Sequence, residues 1–148
     1  MGKDVNWLEE RMVPLVAYFS IGGAVRRTAE MISAVMEADI IALDPESEWT
    51  KDPSKGYDTV VIGFPMVMFK EPEVVDRFLG ACTLIGKTVC PFYVSGSIGN
   101  EGHVMPGIRR SARGASIMPV KWFVNDTPLE DVEAWTKAIA AFRAQALS

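Results

Sequence analysis

The sequence has few of the residues that build metal centres or nucleophilic active sites. It contains one histidine and two cysteines, Cys82 and Cys90, and neither cysteine lies in a CxxC motif. One histidine cannot complete a zinc site with two separated cysteines. There is also no serine or cysteine nucleophile motif and no recognisable pair of carboxylates. We therefore expect no metal site, no hydrolytic catalysis and two buried free thiols.

Long apolar runs and strong net charge are also missing. No apolar run approaches the ~20 residues that a membrane-spanning helix needs. The opening MGKDVNWLEERM has neither an apolar signal-peptide core nor a myristoylation signal. A net charge of -4 is too mild and too acidic for a nucleic-acid binder. The sequence thus predicts a cytoplasmic protein that binds neither membranes nor nucleic acid.

The composition that remains is that of an ordinary globular protein, with 49% hydrophobic and 23% charged residues. A chain of 148 residues suits one domain, over residues 1–148, with a single core. Residues 1–13 are expected to form an N-terminal extension, with room for a short helix in VNWLEERM.

Five short apolar runs predict β-strands. Most are continuously apolar rather than alternating, which indicates strands covered on both faces in a parallel sheet between helical layers. The runs are PLVAYFS from Pro14, DIIALD from Asp39, DTVVIGF from Asp58, TVCPFYVS from Thr88 and SIMPVKWFV from Ser116.

Helical patterns separate most of these strands. The first helix follows the first strand and has an apolar stripe from Val25 to Met36, and the second begins at Pro72. The third spans about residues 106–113, and the fourth begins after Thr127. Only the polar segment PESEWTKDPSKGY, between the second and third strands, has room for no more than a short helix. The alternation predicts a doubly wound, five-stranded parallel α/β sheet with right-handed crossovers.

Ligands of such sheets bind beyond the carboxyl ends of the strands, near the point where the strand order reverses. A strand order of 2-1-3-4-5 brings together the loops that follow the first, third and fourth strands. These loops cover residues 20–25, 65–71 and 95–105. They are therefore candidate ligand-binding segments on topology alone.

The first loop, SIGGAV, offers two glycines and the backbone N–H groups of a helix N-terminus to an anion. It has neither the P-loop lysine nor the GxGxxG spacing, so as a phosphate signal it is weak by itself. Arg26 and Arg27 lie in the first helical turn, where a cation opposes the helix dipole. Either a bound anion compensates these arginines, or both are simply solvated.

The second loop, FPMVMFKEP, is unusually apolar for a connection at a strand end. Four apolar residues in a row, from Met66 to Phe69, suit a wall for a flat ring, since methionine fills gaps adaptably. Packing against a neighbouring loop or against a second copy in a homodimer explains them equally well. The third loop, SGSIGNEGHVMPG, is rich in glycine and contains His103, either a proton donor or, more simply, an exposed histidine.

Taken together, these segments resemble the flavodoxin family from Leu15 to Ile139, in a short-chain form with no insertion in the fifth strand. The matching stretches are LVAYFSIGG with RRTAEMI, YDTVVIGFPM, KTVCPFYVSGSIGN and LEDVEAWTKAI. The resemblance implies a sheet in the order above, with FMN bound non-covalently at the strand ends. The implied cofactor-binding residues are Ser20, Gly22, Gly23, Ala24, Val25, Arg26, Pro65, Met66, Val67, Met68, Phe69, Ser95, Gly96, Ser97, Ile98, Gly99 and Asn100.

The chain departs from the family pattern in two of the three loops. Ser20 and Gly23 keep the first hydroxyl and the glycine of the phosphate loop, but Gly22, Ala24 and Val25 stand where threonine, asparagine and threonine are usual. Two lost hydroxyl donors, at roughly 1.5–3 kcal/mol each, weaken phosphate binding by several powers of ten unless backbone amides and Arg26 compensate. In the ring-stacking loop, Phe69 is the nearest aromatic residue.

Two functions follow from the resemblance. The first is an FMN-binding redox protein, either an electron carrier or a small quinone or NAD(P)H-type reductase, whose partner is a redox protein or a small-molecule acceptor. The second is a flavodoxin-fold module that has lost FMN and serves as a binding or interaction domain. A weaker third possibility is another flat or anionic ligand, such as a tetrapyrrole or a flavin without phosphate. No catalytic side chain is expected, because electron transfer needs none.

Overall fold

A computed structural model describes residues 13–96 and 104–147. The predicted N-terminal extension lies outside these residues, except for Val13. The elements in chain order are β1 (Leu15–Tyr18), α1 (Ala24–Met36), β2 (Asp39–Ala42), β3 (Thr59–Phe64), α2 (Glu73–Ala81), β4 (Thr88–Val94), α3 (Val104–Ser111), β5 (Ser116–Ile117), β6 (Lys121–Phe123) and α4 (Leu129–Leu147).

The strands form one parallel sheet in the order β2-β1-β3-β4-β5, with β6 also paired to β4. Every residue of β3 and β4 is buried, as their continuous apolar sequences predict for central strands covered on both faces. The predicted α/β fold and strand order are confirmed.

The predicted fifth strand differs from expectation, because it is divided into β5 and β6. Both segments pair with β4, but the offset between partners grows by one residue, from Val89↔Ile117 to Phe92↔Lys121. Alternate residues of β4 direct their N–H groups toward this divided strand. Residue 91 is one of them, and as a proline it has no N–H to donate. On the facing segment, Met118 is the last residue before the break that donates to β4, through its N–H to the Val89 carbonyl at 2.9 Å, and Pro119 follows it. The strand therefore bulges between Met118 and Lys121, where Pro91 offers no donor.

Two helical layers cover the sheet. One face of the central strands, including Val60 and Ile62, packs against α2 and α3, and the other, including Val16 and Val61, packs against α1 and α4. On the second face Phe92, Phe123 and Trp135 meet edge to face, with ring centroids 5.5–5.8 Å apart. Among the described residues, no helix is both long and apolar enough to cross a membrane. Helices thus cover both faces of the sheet, and its carboxyl edge carries the loops.

The two cysteines behave nearly as expected. Both are free thiols, and burial raises the pKa of Cys90 to about 12 and that of Cys82 to about 11. Cys90 is fully buried in the core, whereas Cys82, at the end of α2, is only half-buried. Neither thiol ionises near neutral pH, so neither is a nucleophile.

Candidate functional site

Three neighbouring strands place the predicted loops at the same edge of the sheet. β1, β3 and β4 are adjacent and parallel, so their carboxyl ends, at Tyr18, Phe64 and Val94, lie side by side. The bond from the Phe19 N–H to the Gly63 carbonyl, at 3.0 Å, keeps the first two loops together as they leave the sheet. The topology therefore assembles one candidate site from segments far apart in the chain.

The glycine loop makes a sharp turn into α1. Gly22 and Gly23 have φ values of 79° and 91°, which L-residues adopt only at a cost, and a Cβ at either position would face open space. The first intrahelical bond of the loop runs from the Arg27 N–H to the Gly23 carbonyl, so the amides of Ala24 and Val25 have no intrahelical acceptor. Backbone donors at an open helix start are suited to an anion.

The hydroxyl of Ser20 already has a partner in this loop. Its Oγ accepts a hydrogen bond from the Arg26 N–H at 3.1 Å, and so caps α1 from outside the helix. The sequence predicts Ser20 as a phosphate ligand. In the structure its Oγ instead accepts from the Arg26 N–H, a donor that a bound anion at this helix start would also use. The proton of the hydroxyl is a donor that this capping bond does not consume.

Both arginines of the first helical turn contact other parts of the chain. Arg26 Nε lies 2.8 Å from Glu30 Oε1, in an exposed pair one turn apart, and this carboxylate raises the pKa of the guanidinium. Arg27 Nη2 donates to the Asn125 carbonyl at 3.3 Å. Arg27 thereby ties the glycine loop to the segment that follows β6.

The apolar loop after β3 is a tight hairpin. The Val67 N–H donates to the Lys70 carbonyl at 2.8 Å, and the Lys70 N–H donates to the Val67 carbonyl at 3.1 Å. Met68 and Phe69 form the turn with φ values of 52° and 66°. Positive φ at both central residues marks a type I′ turn, which Asn and Gly favour. For larger residues this left-handed backbone conformation costs roughly 1–2 kcal/mol per residue. The tip is therefore strained.

The same tip exposes its side chains. Met68 is 89% exposed and Phe69 60% exposed, with Val67 and Ile21 of the glycine loop also open to solvent. We call Ile21, Val67, Met68 and Phe69 the apolar rim. Of the other predicted residues in this loop, Pro65 and Met66 are half-buried at its base. The rim presents an uncovered apolar surface beside the backbone donors of the glycine loop.

The third loop is described only at its start. Ser95 donates its N–H to the Phe123 carbonyl at 3.0 Å and accepts a hydrogen bond on its own carbonyl from Trp122 Nε1 at 3.1 Å. A Cβ on Gly96 would lie 3.1 Å from Asn125 Nδ2. The predicted residues Ser97, Ile98, Gly99 and Asn100, together with His103, lie outside the described residues.

Three residues near the site were not singled out by sequence analysis. The carbonyl of Asn125 accepts a hydrogen bond from Arg27, and its side chain lies beside Gly96 of the third loop. Its position just after the last strand was the sequence feature that could have identified it. Glu30 pairs with Arg26, at a spacing of four that the sequence displays.

Glu71 is the third of these residues, and it follows the hairpin. Its side chain is buried, with 3% exposure, and neither carboxyl oxygen has a hydrogen-bond partner within residues 13–96 and 104–147. Burial, reinforced by the neighbouring Asp76 carboxylate, raises the pKa of Glu71 to about 7. A carboxyl group that ionises near neutrality therefore lies at the base of the apolar hairpin.

A cavity of about 330 Å³ lies at the opposite edge of the sheet, with Asp52, Lys55, Tyr57 and Lys87 among its lining residues. Its polar groups bind one another. Asp52 accepts hydrogen bonds from Ser54 and from the Thr83 N–H, and the Lys87 ammonium binds the Ser54 carbonyl at 2.8 Å. Asp52 and Lys87 thus anchor the long connection before β3 through these hydrogen bonds.

Comparison with known proteins gives one family. A protein-family model described as Flavodoxin matches residues 50–139. This range includes the apolar hairpin and the third loop but not the glycine loop, where the chain departs most from the expected pattern. No curated protein matches the chain.

Solved structures share the fold. A candidate flavoprotein from Bacteroides eggerthii has 25% identity and a TM-score of 0.71, and the match covers 86% of this chain and 98% of that one. A flavodoxin from the domain Archaea has 18% identity and a TM-score of 0.68, over 93% and 100%. A flavoprotein in complex with FMN from Lactobacillus acidophilus has 17% identity and a TM-score of 0.62, over 84% and 99%.

Proposed function

The chain belongs to the flavodoxin family, and on that premise we propose that it binds FMN and acts in redox chemistry. Its role is that of an electron carrier or a small quinone or NAD(P)H-type reductase, and its partner is a redox protein or a small-molecule acceptor. The proposed compartment is the cytoplasm, in keeping with the two free thiols.

The apolar hairpin is the observation that carries this proposal. Its tip holds Met68 and Phe69 exposed on a strained turn, at the strand edge where ligands of doubly wound sheets bind. Strained backbone of this kind persists where the surrounding structure imposes it, and it concentrates at ligand sites. A flat aromatic ring laid against the rim would bury these side chains and gain about 25 cal/mol for each Å² of apolar surface covered.

The donor set also fits FMN. The open amides at the start of α1 and the Ser20 hydroxyl proton would hold the phosphate, and the apolar rim would cover the isoalloxazine ring. The amides of the third loop, beginning at Gly96, would bind the polar edge of the ring. FMN, when bound, supplies one- and two-electron transfer; the protein orients it, excludes water from one face and sets its electrostatic surroundings.

A second function is favoured by the glycine loop. Its side chains lack the hydroxyls of the family pattern, and the Ser20 Oγ already accepts a hydrogen bond from the Arg26 N–H. A flavodoxin-fold domain that has lost FMN would use the apolar rim as a surface for a partner protein or for a second copy in a homodimer. The two functions differ in one measurable property, which is flavin affinity.

Titration of the purified protein with FMN distinguishes them. We expect quenching of flavin fluorescence with saturation, and at least a tenfold weaker affinity in Met68→Asp, because a carboxylate on the rim would have to be desolvated against the ring. Ile85→Asp is the matched control, since Ile85 is 77% exposed but lies beside the cavity at the opposite edge. FMN fluorescence unchanged at millimolar protein contradicts the proposal and supports the second function.

A further inference from the structure

We infer that Glu30 sets the phosphate affinity of the glycine loop by competing with the ligand for Arg26. This inference rests on the proposed function, because it concerns how the same site recognises the phosphate end of FMN. Arg26 takes the place of the missing hydroxyl donors as a phosphate-binding side chain. To bind Arg26, the phosphate must first displace Glu30.

The glycine loop leaves few side-chain donors for a phosphate. Gly22, Ala24 and Val25 carry no hydroxyl, so the proton of the Ser20 hydroxyl, whose Oγ accepts a hydrogen bond from the Arg26 N–H at 3.1 Å, is the one side-chain hydroxyl donor of residues 20–25. A phosphate dianion at this helix start would therefore depend mainly on backbone amides and on a nearby cation. Arg26 and Arg27 are the cations in the same helical turn.

Arg27 is not equivalent to its neighbour. Its Nη2 donates to the Asn125 carbonyl at 3.3 Å, which commits Arg27 to the link between the glycine loop and the end of β6. Among the described residues, Arg26 instead pairs with a side chain of its own helix, Glu30, and Tyr18 at the end of β1 lies near its guanidinium. Within the same part of the chain, Arg26 is thus the arginine whose guanidinium can change partners without breaking a hydrogen bond to another segment.

The pair that holds Arg26 is weak. The side chains of Arg26 and Glu30 are 67% and 55% exposed, and such pairs contribute little to stability. Their order along the helix, with the cation nearer the N-terminus, is the less favourable one for the helix dipole. A phosphate at the helix start offers Arg26 a doubly charged partner instead. Because the Arg26–Glu30 pair must break before Arg26 binds the phosphate, FMN affinity is about two- to fivefold lower than it would be if Arg26 had no partner.

The test compares FMN with riboflavin, which has the same ring and no phosphate. In the full chain, Glu30→Gln is expected to tighten FMN binding about two- to fivefold and to leave riboflavin unchanged. Arg26→Gln is expected to weaken FMN about tenfold, as the loss of an exposed charged hydrogen bond predicts, and to change riboflavin less than twofold. In the Arg26→Gln background, Glu30→Gln should have no further effect.

Glu133→Gln is the control for the loss of one negative charge, because Glu133 is exposed on α4. Its FMN affinity should match the wild type, and circular dichroism should show that every variant is folded. FMN binding with an unchanged ratio of FMN to riboflavin affinity in both single variants overturns the inference alone. An effect of Glu30→Gln that persists without Arg26 also overturns it. Failure of the wild type to bind either flavin overturns the proposed function, and this inference with it.

Discussion

The carboxyl group of Glu71 packs against the backbone of Gly107, and a Cβ at position 107 would overlap it. The contact joins the residue after the apolar hairpin to helix α3, which leads out of the third loop. Because this carboxyl is buried and its oxygens have no hydrogen-bond partner in the described part of the chain, its ionised form is unfavourable in the folded protein. A proton on Glu71 therefore favours the contact between the end of the apolar hairpin and α3.

Protonation of Glu71 makes stability fall as pH rises. The pKa of about 7 in the folded protein exceeds the ordinary value of 4.5, so the folded state holds this proton more tightly than the unfolded state. The associated stability is fully present below pH 4.5 and is lost as pH rises through 7. Glu71→Gln cannot titrate at this position and so does not lose this stability as pH rises. We therefore expect the difference in free energy of unfolding between Glu71→Gln and wild type to shift by about 2 kcal/mol in favour of the variant from pH 5 to pH 8.

Urea unfolding at several pH values between 5 and 8 measures this difference. Glu73→Gln is the control for the loss of one exposed carboxylate, because Glu73 lies two residues further along the chain and is exposed. A Glu71→Gln effect that stays the same at every pH would show that the buried carboxyl does not titrate as described.

Gly63 is required by the ring of Phe92. The two residues are partners across β3 and β4, and a Cβ at position 63 would overlap the ring, which is held in place by Phe123 and Trp135. We expect Gly63→Ala to lower the free energy of unfolding by about 1–3 kcal/mol through overpacking. Gly80→Ala is the matched control, since Gly80 is exposed in α2 with open space around it, and it should stabilise by about 0.5–1 kcal/mol. Equal effects of the two substitutions would contradict the account.

The hairpin strain predicts opposite changes in stability and binding. Replacing Met68 and Phe69 with Asn and Gly gives the turn the residues that positive φ favours, so we expect stability to rise by about 1 kcal/mol. The same double substitution removes the apolar tip, so FMN affinity should fall at least tenfold. Thermal unfolding and flavin titration of one preparation measure both quantities. A double variant that is no more stable than wild type would show that the turn is not strained.

Much of the fold could be predicted from the sequence because its central strands are continuously apolar. Runs such as DTVVIGF and TVCPFYVS are buried on both faces, which few arrangements other than a parallel sheet between helices allow. The division of the last strand was not predicted, although both prolines were visible. Pro91 disturbs the ladder only once β4 is paired with the last strand, and that pairing is a property of the folded chain.

The candidate site was less accessible to sequence reasoning. The positions of the glycine loop and the apolar hairpin follow from strand order, but a carboxylate after a turn, such as Glu71, reads as a solvated residue. Its burial depends on α3 covering it at Gly107, and that contact spans more than thirty positions of the chain. Asn125 was missed for the same reason, because its neighbours come from distant segments, Arg27 from the first turn of α1 and Gly96 from the third loop.

The central claim is that FMN binds at the carboxyl edge of the sheet, and residue-resolved amide NMR during an FMN titration tests it most directly. We predict shifts at Gly22, Gly23, Ala24, Val67 to Lys70 and Gly96, with none at Ser54, Gly56 or Thr83 around the cavity at the opposite edge. Riboflavin should move the hairpin amides and leave those of Gly22 and Gly23 nearly unchanged. Shifts confined to the opposite edge, or no shifts at saturating FMN, would contradict the account.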